Sequence, residues 1–169
     1  MIGNSAYAAN LLPNPINDAT DIAANLLDAD FLILLRTDLD LAGMELAIAD
    51  FQRFVKGKDT ALIYYAGHGV QVEGENFLIP VEENIQSTAQ AKSRSVSFWY
   101  LMDQIKASGV KTALLFLDAC QAGMWYAAGS TTLSGLLGDV PSLGASFNAD
   151  ISGSSAKVTP NLSCRAYTL

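Results

Sequence analysis

The stretch Thr60–Gln71 reads TALIYYAGHGVQ. Its first half is a short apolar run, which is typical of a buried strand in a parallel sheet. The run ends in Gly67-His68-Gly69, and His68 is the only histidine in the chain. Because glycine has no Cβ, the chain can turn sharply at this point and another molecule can approach closely. The stretch therefore predicts a strand that ends by presenting one imidazole in an open turn.

Two other apolar runs have the same character, FLILLR at Phe31–Arg36 and KTALLFLDAC at Lys111–Cys120. Both are predicted to be buried strands. Segments with apolar residues every three or four positions separate the runs and predict amphipathic helices. These segments are NPINDATDIAANLLDAD (14–30), LAGMELAIADFQRFV (41–55) and SFWYLMDQIKASG (97–109). Strands that alternate with helices predict an α/β fold with a mostly parallel sheet flanked by helices.

The rest of the chain carries weaker signals. The segment VQVEGENFLIPV (70–81) predicts a hairpin with EGE at its turn, and the polar residues 82–96 predict a loop. After residue 126, Gly, Ser, Thr and Ala dominate and the periodicity fades. We expect a folded domain over residues 1–126 and a Gly/Ser-rich, loop-like tail over residues 127–169 without a convincing strand pair.

Composition excludes several classes of function. The chain has 169 residues, of which 50% are hydrophobic and 16% charged, and its net charge of −7 argues against a nucleic-acid partner. No apolar run reaches the ~18 residues that span a bilayer, and no signal peptide is recognisable, so we expect no membrane partner. Two cysteines, Cys120 and Cys164, do not make a disulfide framework, which indicates a reducing compartment and a cytoplasmic location.

Two of the predicted strands end in residues that suit thiol chemistry. In open α/β sheets, ligands bind beyond the carboxyl ends of the strands, and parallel strands would bring His68 and Cys120 to the same edge. A thiol attacks as its thiolate, or with the help of a base, and imidazole is the usual partner. Two other interpretations remain: His68 is a structural residue of a Gly-rich turn, and Cys120 is a small core residue. The coincidence of both at strand ends favours a functional pair.

These residues also resemble a known family. The motif YYAGHG, followed about fifty residues later by LDACQAG, is similar to the caspase-like cysteine peptidases of family C14, and most similar to their bacterial, metacaspase-type or orthocaspase-type members. The segments MIGNSAY, NPINDA and NFLIPV extend the resemblance. It implies a caspase-like three-layer sandwich and a catalytic domain over residues 1–126, in a truncated member of the family. It also implies that His68 is the general base, that Cys120 is the nucleophile, and that the N–H groups of Gly69 and Cys120 are oxyanion donors.

The resemblance further implies an acidic pocket for the residue before the cleaved bond. Asp118, two residues before Cys120, and Asp18, in the motif Asn17-Asp18-Ala19, would line it. Two carboxylates suit an Arg or Lys side chain. Two alternatives stay open: Asp18 is a solvated residue in the first turn of a helix, and Asp118 bonds to local backbone.

The leading function is therefore a cysteine endopeptidase that cleaves peptide or protein substrates after Arg or Lys, without a metal or other cofactor. The first alternative is a caspase-like interaction module that is weakly active or inactive, because the segment after the cysteine predicts a truncated substrate groove. The second is an α/β binding domain with no enzymatic role. A nucleotide-binding version of it is disfavoured, because no glycine-rich phosphate loop is present.

Overall fold

The computed structural model describes residues 1–8, 11–120, 145–150 and 157–162. The helices in this part of the chain are α1 (Pro15–Asp28), α2 (Leu41–Phe54), α3 (Thr88–Arg94) and α4 (Phe98–Ser108). The strands are β1 (Ile2–Gly3), β2 (Arg36–Thr37), β3 (Thr60–Val72), β4 (Glu75–Leu78), β5 (Val96–Ser97), β6 (Thr112–Cys120), β7 (Ala145–Asp150) and β8 (Lys157–Leu162).

The main sheet has the strand order β2-β1-β3-β6-β7-β8. Its first four strands are parallel, whereas β7 and β8 are added in antiparallel orientation at the β6 edge. A small antiparallel unit of β4 and β5 extends from β3. The predicted parallel sheet is therefore present at the centre of the molecule, where the two long apolar runs pair along their whole length.

Helices cover both faces of the sheet and give three layers. On one face, Met44 of α2 and Ile105 of α4 pack with Ile63 of β3 and Leu115 of β6 in the main core cluster. On the other face, Ala19 of α1 packs against Tyr64 and Ala66 of β3. Because side chains alternate along a strand, odd-numbered residues of β3 face α2 and α4, and even-numbered ones face α1. The α/β, three-layer prediction is confirmed.

Local signals explain where the longer helices begin and end. The Asp40 carboxylate accepts a hydrogen bond from the Gly43 N–H at 2.7 Å and caps α2, and the Ser97 hydroxyl caps α4 in the same way. Gly109 ends α4 with a φ of 77°, a conformation that glycine adopts without a steric penalty. Among the described helices, none combines the length and the apolar composition that a membrane crossing requires.

The prediction that Gly67-His68-Gly69 forms a turn is wrong, because β3 runs without interruption to Val72. Neither flanking glycine has a positive φ. The strand changes partner instead: it pairs with β6 as far as His68 and with β4 from Gly69 onward. The predicted hairpin is confirmed, and its turn is formed by Glu73 and Gly74, whose φ angles are 52° and 82°. His68 therefore lies where two sheets share one strand.

Two further predictions of local structure need correction. Of the predicted strand Phe31–Arg36, only Arg36 is in strand conformation, because the neighbouring β1 has two residues and offers partners to Arg36 and Thr37 alone. The predicted loop 82–96 contains α3 and the start of β5. Ala91 is the one buried residue of α3, and a single apolar anchor gives no periodic signal.

The tail also differs from expectation. Strands β7 and β8 pair with each other and continue the sheet from β6, so the expectation of no strand pair is wrong for residues 145–150 and 157–162. Strand pairing depends on main-chain groups, which a segment poor in apolar residues supplies equally well. The predicted boundary between residues 126 and 127 lies outside the described residues.

Candidate active site

The site begins with the register of the two long parallel strands. β3 and β6 pair from Thr60 opposite Thr112 to His68 opposite Cys120. The Cα atoms of His68 and Cys120 are therefore ladder partners on adjacent parallel strands, as expected, but β3 continues past His68 to Val72, so only Cys120 lies at the carboxyl end of its strand. The thiol lies outside the described part of the structure, so its distance to the imidazole stays a prediction.

Two tyrosines surround the main chain of His68. The His68 N–H donates to the Tyr7 hydroxyl at 2.9 Å, and its carbonyl accepts from the Tyr65 hydroxyl at 2.7 Å and from the Ile79 N–H at 3.0 Å. The ring of Tyr7 also packs on the imidazole, with 4.3 Å between centroids and 54° between planes. Both main-chain polar groups of His68 are thus bonded within the protein.

The two tyrosines lie in the interior, with 3% of Tyr7 and 1% of Tyr65 exposed. Burial raises the pKa of both phenols, so both keep their protons at neutral pH. A neutral phenol can donate one hydrogen bond and accept others. Tyr65 can therefore donate to the His68 carbonyl while Tyr7 donates to the Ile79 carbonyl at 3.0 Å.

Gly67 provides the space that these phenols occupy. A Cβ at this position would lie 2.5 Å from the Tyr7 hydroxyl and 2.7 Å from the Tyr65 hydroxyl. Both distances are well inside van der Waals contact. The glycine before His68 is thus explained by close packing of side chains, whereas the sequence had suggested a turn.

Gly69, the predicted oxyanion donor, lies in the first pair that β3 makes with β4, opposite Leu78. In an antiparallel ladder, hydrogen-bonded and non-hydrogen-bonded pairs alternate. His68 and Ile79 are joined by a main-chain hydrogen bond, so Gly69 and Leu78 form a non-hydrogen-bonded pair. The Gly69 N–H therefore points away from β4, toward the side on which β6 lies. A Cβ on Gly69 would be 3.1 Å from the Cβ of Ala119, so the two strands are close here.

Asp118 is exposed on β6 and accepts a hydrogen bond at Oδ2 from the hydroxyl of Tyr64, at 3.2 Å. Tyr64 lies on the adjacent strand β3 and is buried, with 6% exposed. Burial and then the negative charge of Asp118 raise the pKa of Tyr64, so the phenol remains a donor. The Asp118 side chain bonds to the Tyr64 hydroxyl, so the alternative that it bonds to local backbone is not supported.

Asp18 lies in the first turn of α1, the helix that packs on the face of the sheet to which Tyr64 belongs. Burial raises the pKa of Asp18, and the charges of Asp118 and Asp21 raise it further. Among the described residues, neither Asp18 nor Asp118 takes part in an ion pair. Two acidic groups that repel each other and lack a cation are suited to receive one from a substrate.

No metal centre is evident in the described ranges: they contain no group of three or more His, Cys, Asp and Glu side chains arranged to hold an ion. The chemistry available here is that of an imidazole, two carboxylates, main-chain N–H groups and, directly opposite His68 in the ladder, a cysteine.

Sequence reasoning did not identify the three tyrosines of this site, Tyr7, Tyr64 and Tyr65. Each lies inside a quoted motif: Tyr7 in MIGNSAY, which was used only for the family resemblance, and Tyr64 and Tyr65 in YYAGHG, where they were interpreted as part of an apolar run. A buried strand that places two phenols three and four residues before a histidine carries polar groups that need partners, and this was the available signal.

Comparison with known proteins identifies the family of the chain. A family model described as the caspase domain of the C14 peptidases matches residues 1–161. The human mucosa-associated lymphoid tissue lymphoma translocation protein 1 is 26% identical over 149 residues, which cover 80% of this chain and 18% of the human protein. Its mouse homologue gives the same identity and coverage. The chain thus spans less than a fifth of these relatives. The family match supports a protease-type function, and the chain belongs to the caspase domain family of peptidases.

Proposed function

We propose that the chain is a cysteine endopeptidase that cleaves peptide bonds after Arg or Lys with a dyad of His68 and Cys120. The observation that carries the proposal is the ladder register, in which the only histidine of the chain lies directly opposite a cysteine in the last pair of the parallel β3–β6 ladder. Membership of a peptidase family supports the reaction class.

The first half of the reaction forms a thioester. Sγ of Cys120 attacks the carbonyl carbon of the scissile bond while the His68 imidazole takes the thiol proton. The carbonyl oxygen becomes an oxyanion, which the N–H groups of Gly69 and Cys120 stabilise. When the tetrahedral intermediate collapses, the C–N bond breaks and His68 returns the proton to the leaving amine.

The second half restores the enzyme. A water molecule attacks the thioester carbon while His68 takes one of its protons. The C–S bond breaks, the carboxylic product leaves, and Cys120 regains its proton from His68. Atoms and charges balance without a metal ion or an external cofactor.

Specificity follows from Asp18 and Asp118. The side chain before the scissile bond would extend from the Cys120 position toward these carboxylates, where a guanidinium or ammonium group reduces their mutual repulsion. Arg offers a planar set of donors that matches a carboxylate, whereas Lys offers a single point charge, so we expect Arg to be the better substrate. Protein or peptide substrates with basic residues are the proposed partners, and we propose a cytoplasmic location.

A panel of fluorogenic peptides that differ only in Arg, Lys or Asp before the cleaved bond tests the proposal. We expect cleavage after Arg and Lys, none after Asp, and none with the Cys120→Ala variant. Cleavage after Asp and Arg at equal rates would contradict the acidic pocket. Absence of cleavage by the parent protein, together with retained thermal stability, would favour the caspase-like interaction module instead.

A further inference from the structure

The ladder between β3 and β4 has an unusual first rung at His68. The register β3–β4 continues to a pair of His68 with Ile79, and the Ile79 N–H donates to the His68 carbonyl at 3.0 Å. In a hydrogen-bonded antiparallel pair, the reverse bond from the His68 N–H to the Ile79 carbonyl is also expected. Here the Tyr7 hydroxyl lies between these two groups: it accepts from the His68 N–H at 2.9 Å and donates to the Ile79 carbonyl at 3.0 Å.

The inserted hydroxyl has two structural consequences. It satisfies a buried N–H and a buried C=O that would otherwise bond to each other, so β3 and β4 stay connected while they separate at this point. It also anchors the phenol, whose ring packs on the imidazole of His68. One side chain therefore contacts both the main chain and the ring of the same histidine.

We propose that Tyr7 is a positioning residue for His68, which sets the location of its main chain through the inserted hydroxyl and the orientation of its imidazole through the ring. Its importance for catalysis rests on the proposed function of His68 as the base. Tyr7 touches neither Asp18 nor Asp118 in the hydrogen bonds of the site, so its effect on turnover acts through His68.

Tyr65 provides the matched comparison. Its hydroxyl lies 3.3 Å from that of Tyr7 and is equally buried, but it bonds the His68 carbonyl at 2.7 Å and lies 3.1 Å from the Ile79 carbonyl, whereas the His68 N–H bonds to Tyr7. Loss of either hydroxyl removes one buried phenolic group from the same cluster. Only loss of the Tyr7 hydroxyl frees the His68 N–H.

NMR tests the proposal without any assay of activity, because His68 is the only histidine and its imidazole C–H signals need no assignment. We expect Tyr7→Leu to shift these signals strongly, because the ring current of the aromatic neighbour is lost, and Tyr7→Phe to shift them much less. Amide exchange at His68 should become on the order of tenfold faster in Tyr7→Phe and stay near the parent rate in Tyr65→Phe. Unchanged exchange in Tyr7→Phe, or equal acceleration in both variants, would overturn the proposal.

Kinetics and stability complete the test. Tyr7→Phe should lower kcat on the order of tenfold with little change in KM, because a displaced base slows chemistry without weakening substrate binding. Ile48→Val, a core change on α2, serves as a control of similar stability loss and should leave kcat unchanged. An equal kcat loss in Ile48→Val would contradict the positioning role.

If the parent protein cleaves no peptide, the proposed function fails, while the NMR result still decides the role of Tyr7. If Tyr7→Leu does not fold, the amide exchange rate of His68 in Tyr7→Phe decides it.

Discussion

Where the parallel ladder of β3 and β6 ends, the two strands lie side by side, yet their surroundings are built in opposite ways. On β3, the ladder with β6 ends at His68, and both main-chain polar groups of this residue are bonded inside the protein by two buried tyrosines and by Ile79. At the end of β6, Asp118 is exposed and one phenol bonds its carboxylate. The β3 end of the ladder, at His68, is fixed by the core, whereas Asp118 near the β6 end is open to solvent.

The difference in packing between His68 and Asp118 matches the different functions proposed for them. A proposed base must be held in one place, and close packing around His68 does this at the expense of tolerance to change. A proposed substrate-binding carboxylate must be free to exchange water for a ligand, so it lies at the surface. Substitutions at the β3 end should therefore affect both fold and activity, whereas substitutions at the β6 end should affect activity alone.

The largest effect is expected from Gly67→Ala. The new methyl group would overlap the hydroxyls of Tyr7 and Tyr65, which are held by buried hydrogen bonds. We expect a loss of roughly 2–4 kcal/mol in the free energy of unfolding, measured by urea denaturation. Gly69→Ala is the matched control, because its methyl group would meet the Ala119 side chain at 3.1 Å and cost less. If both variants lose the same free energy of unfolding, the packing of Tyr7 and Tyr65 against Gly67 is no tighter than the packing around Gly69.

Asp118→Asn should have the next largest effect, and on activity only. Loss of a charge-assisted hydrogen bond to the substrate should lower kcat/KM for an Arg peptide roughly 10- to 100-fold. A peptide with citrulline in place of Arg keeps the shape of the side chain and removes its charge, so its cleavage should fall far less. If both peptides lose the same factor, Asp118 does not contact the basic side chain. A large fall in Tm would contradict the open character of the β6 end.

Tyr64→Phe should have a smaller effect. It removes the hydroxyl that donates to Asp118 and keeps the ring that packs against α1. We expect a loss of roughly 2- to 10-fold in kcat/KM for Arg peptides, because the carboxylate keeps its charge but loses one orienting bond. Stability should change little. In the Asp118→Asn background the same substitution should have almost no further effect, and an additive loss in the double variant would show that Tyr64 acts elsewhere.

The smallest effect concerns the dependence of stability on pH. Burial and the charge of Asp118 raise the pKa of Asp18 above its ordinary value of 3.8. The folded chain therefore holds the Asp18 proton more tightly than the unfolded chain does, and folding loses stability as pH rises through this range. Asp18→Asn lacks this loss, so its Tm relative to the parent should be higher at pH 7 than at pH 3. A Tm difference that is the same at both pH values would contradict the repulsion.

Sequence alone predicted the parts of this molecule that depend on long, regular patterns. The apolar runs of β3 and β6 and the periodic faces of α1, α2 and α4 gave the fold class, and the neighbouring positions of His68 and Cys120 on two strands followed from a parallel sheet. It failed where pairing depends on a distant partner. Arg36 is a strand residue only because β1 lies beside it, and α3 has a single apolar anchor in Ala91.

The role of Tyr7 could not be predicted for the same reason. Its hydroxyl enters a ladder between two residues that are 61 and 72 positions away along the chain. No local pattern encodes such a bond, because it exists only after three segments have come together. Tyr64 and Tyr65 lie on a strand with an apolar sequence, so they were interpreted as part of an apolar run and not as hydrogen-bonding groups.

That inserted hydroxyl also has a consequence for the timing of synthesis and folding. Contacts between residues far apart in sequence form late, after loops of that length have closed. Because His68 is held by Tyr7 on one side and Ile79 on the other, a chain emerging from the ribosome cannot order its only imidazole before Ile79 has been made and has docked. Cys120 emerges later still. A nascent or partly folded copy would therefore lack the complete pair of His68 and Cys120, so if the proposed peptidase activity holds, completion of folding would itself delay proteolysis until the chain is finished.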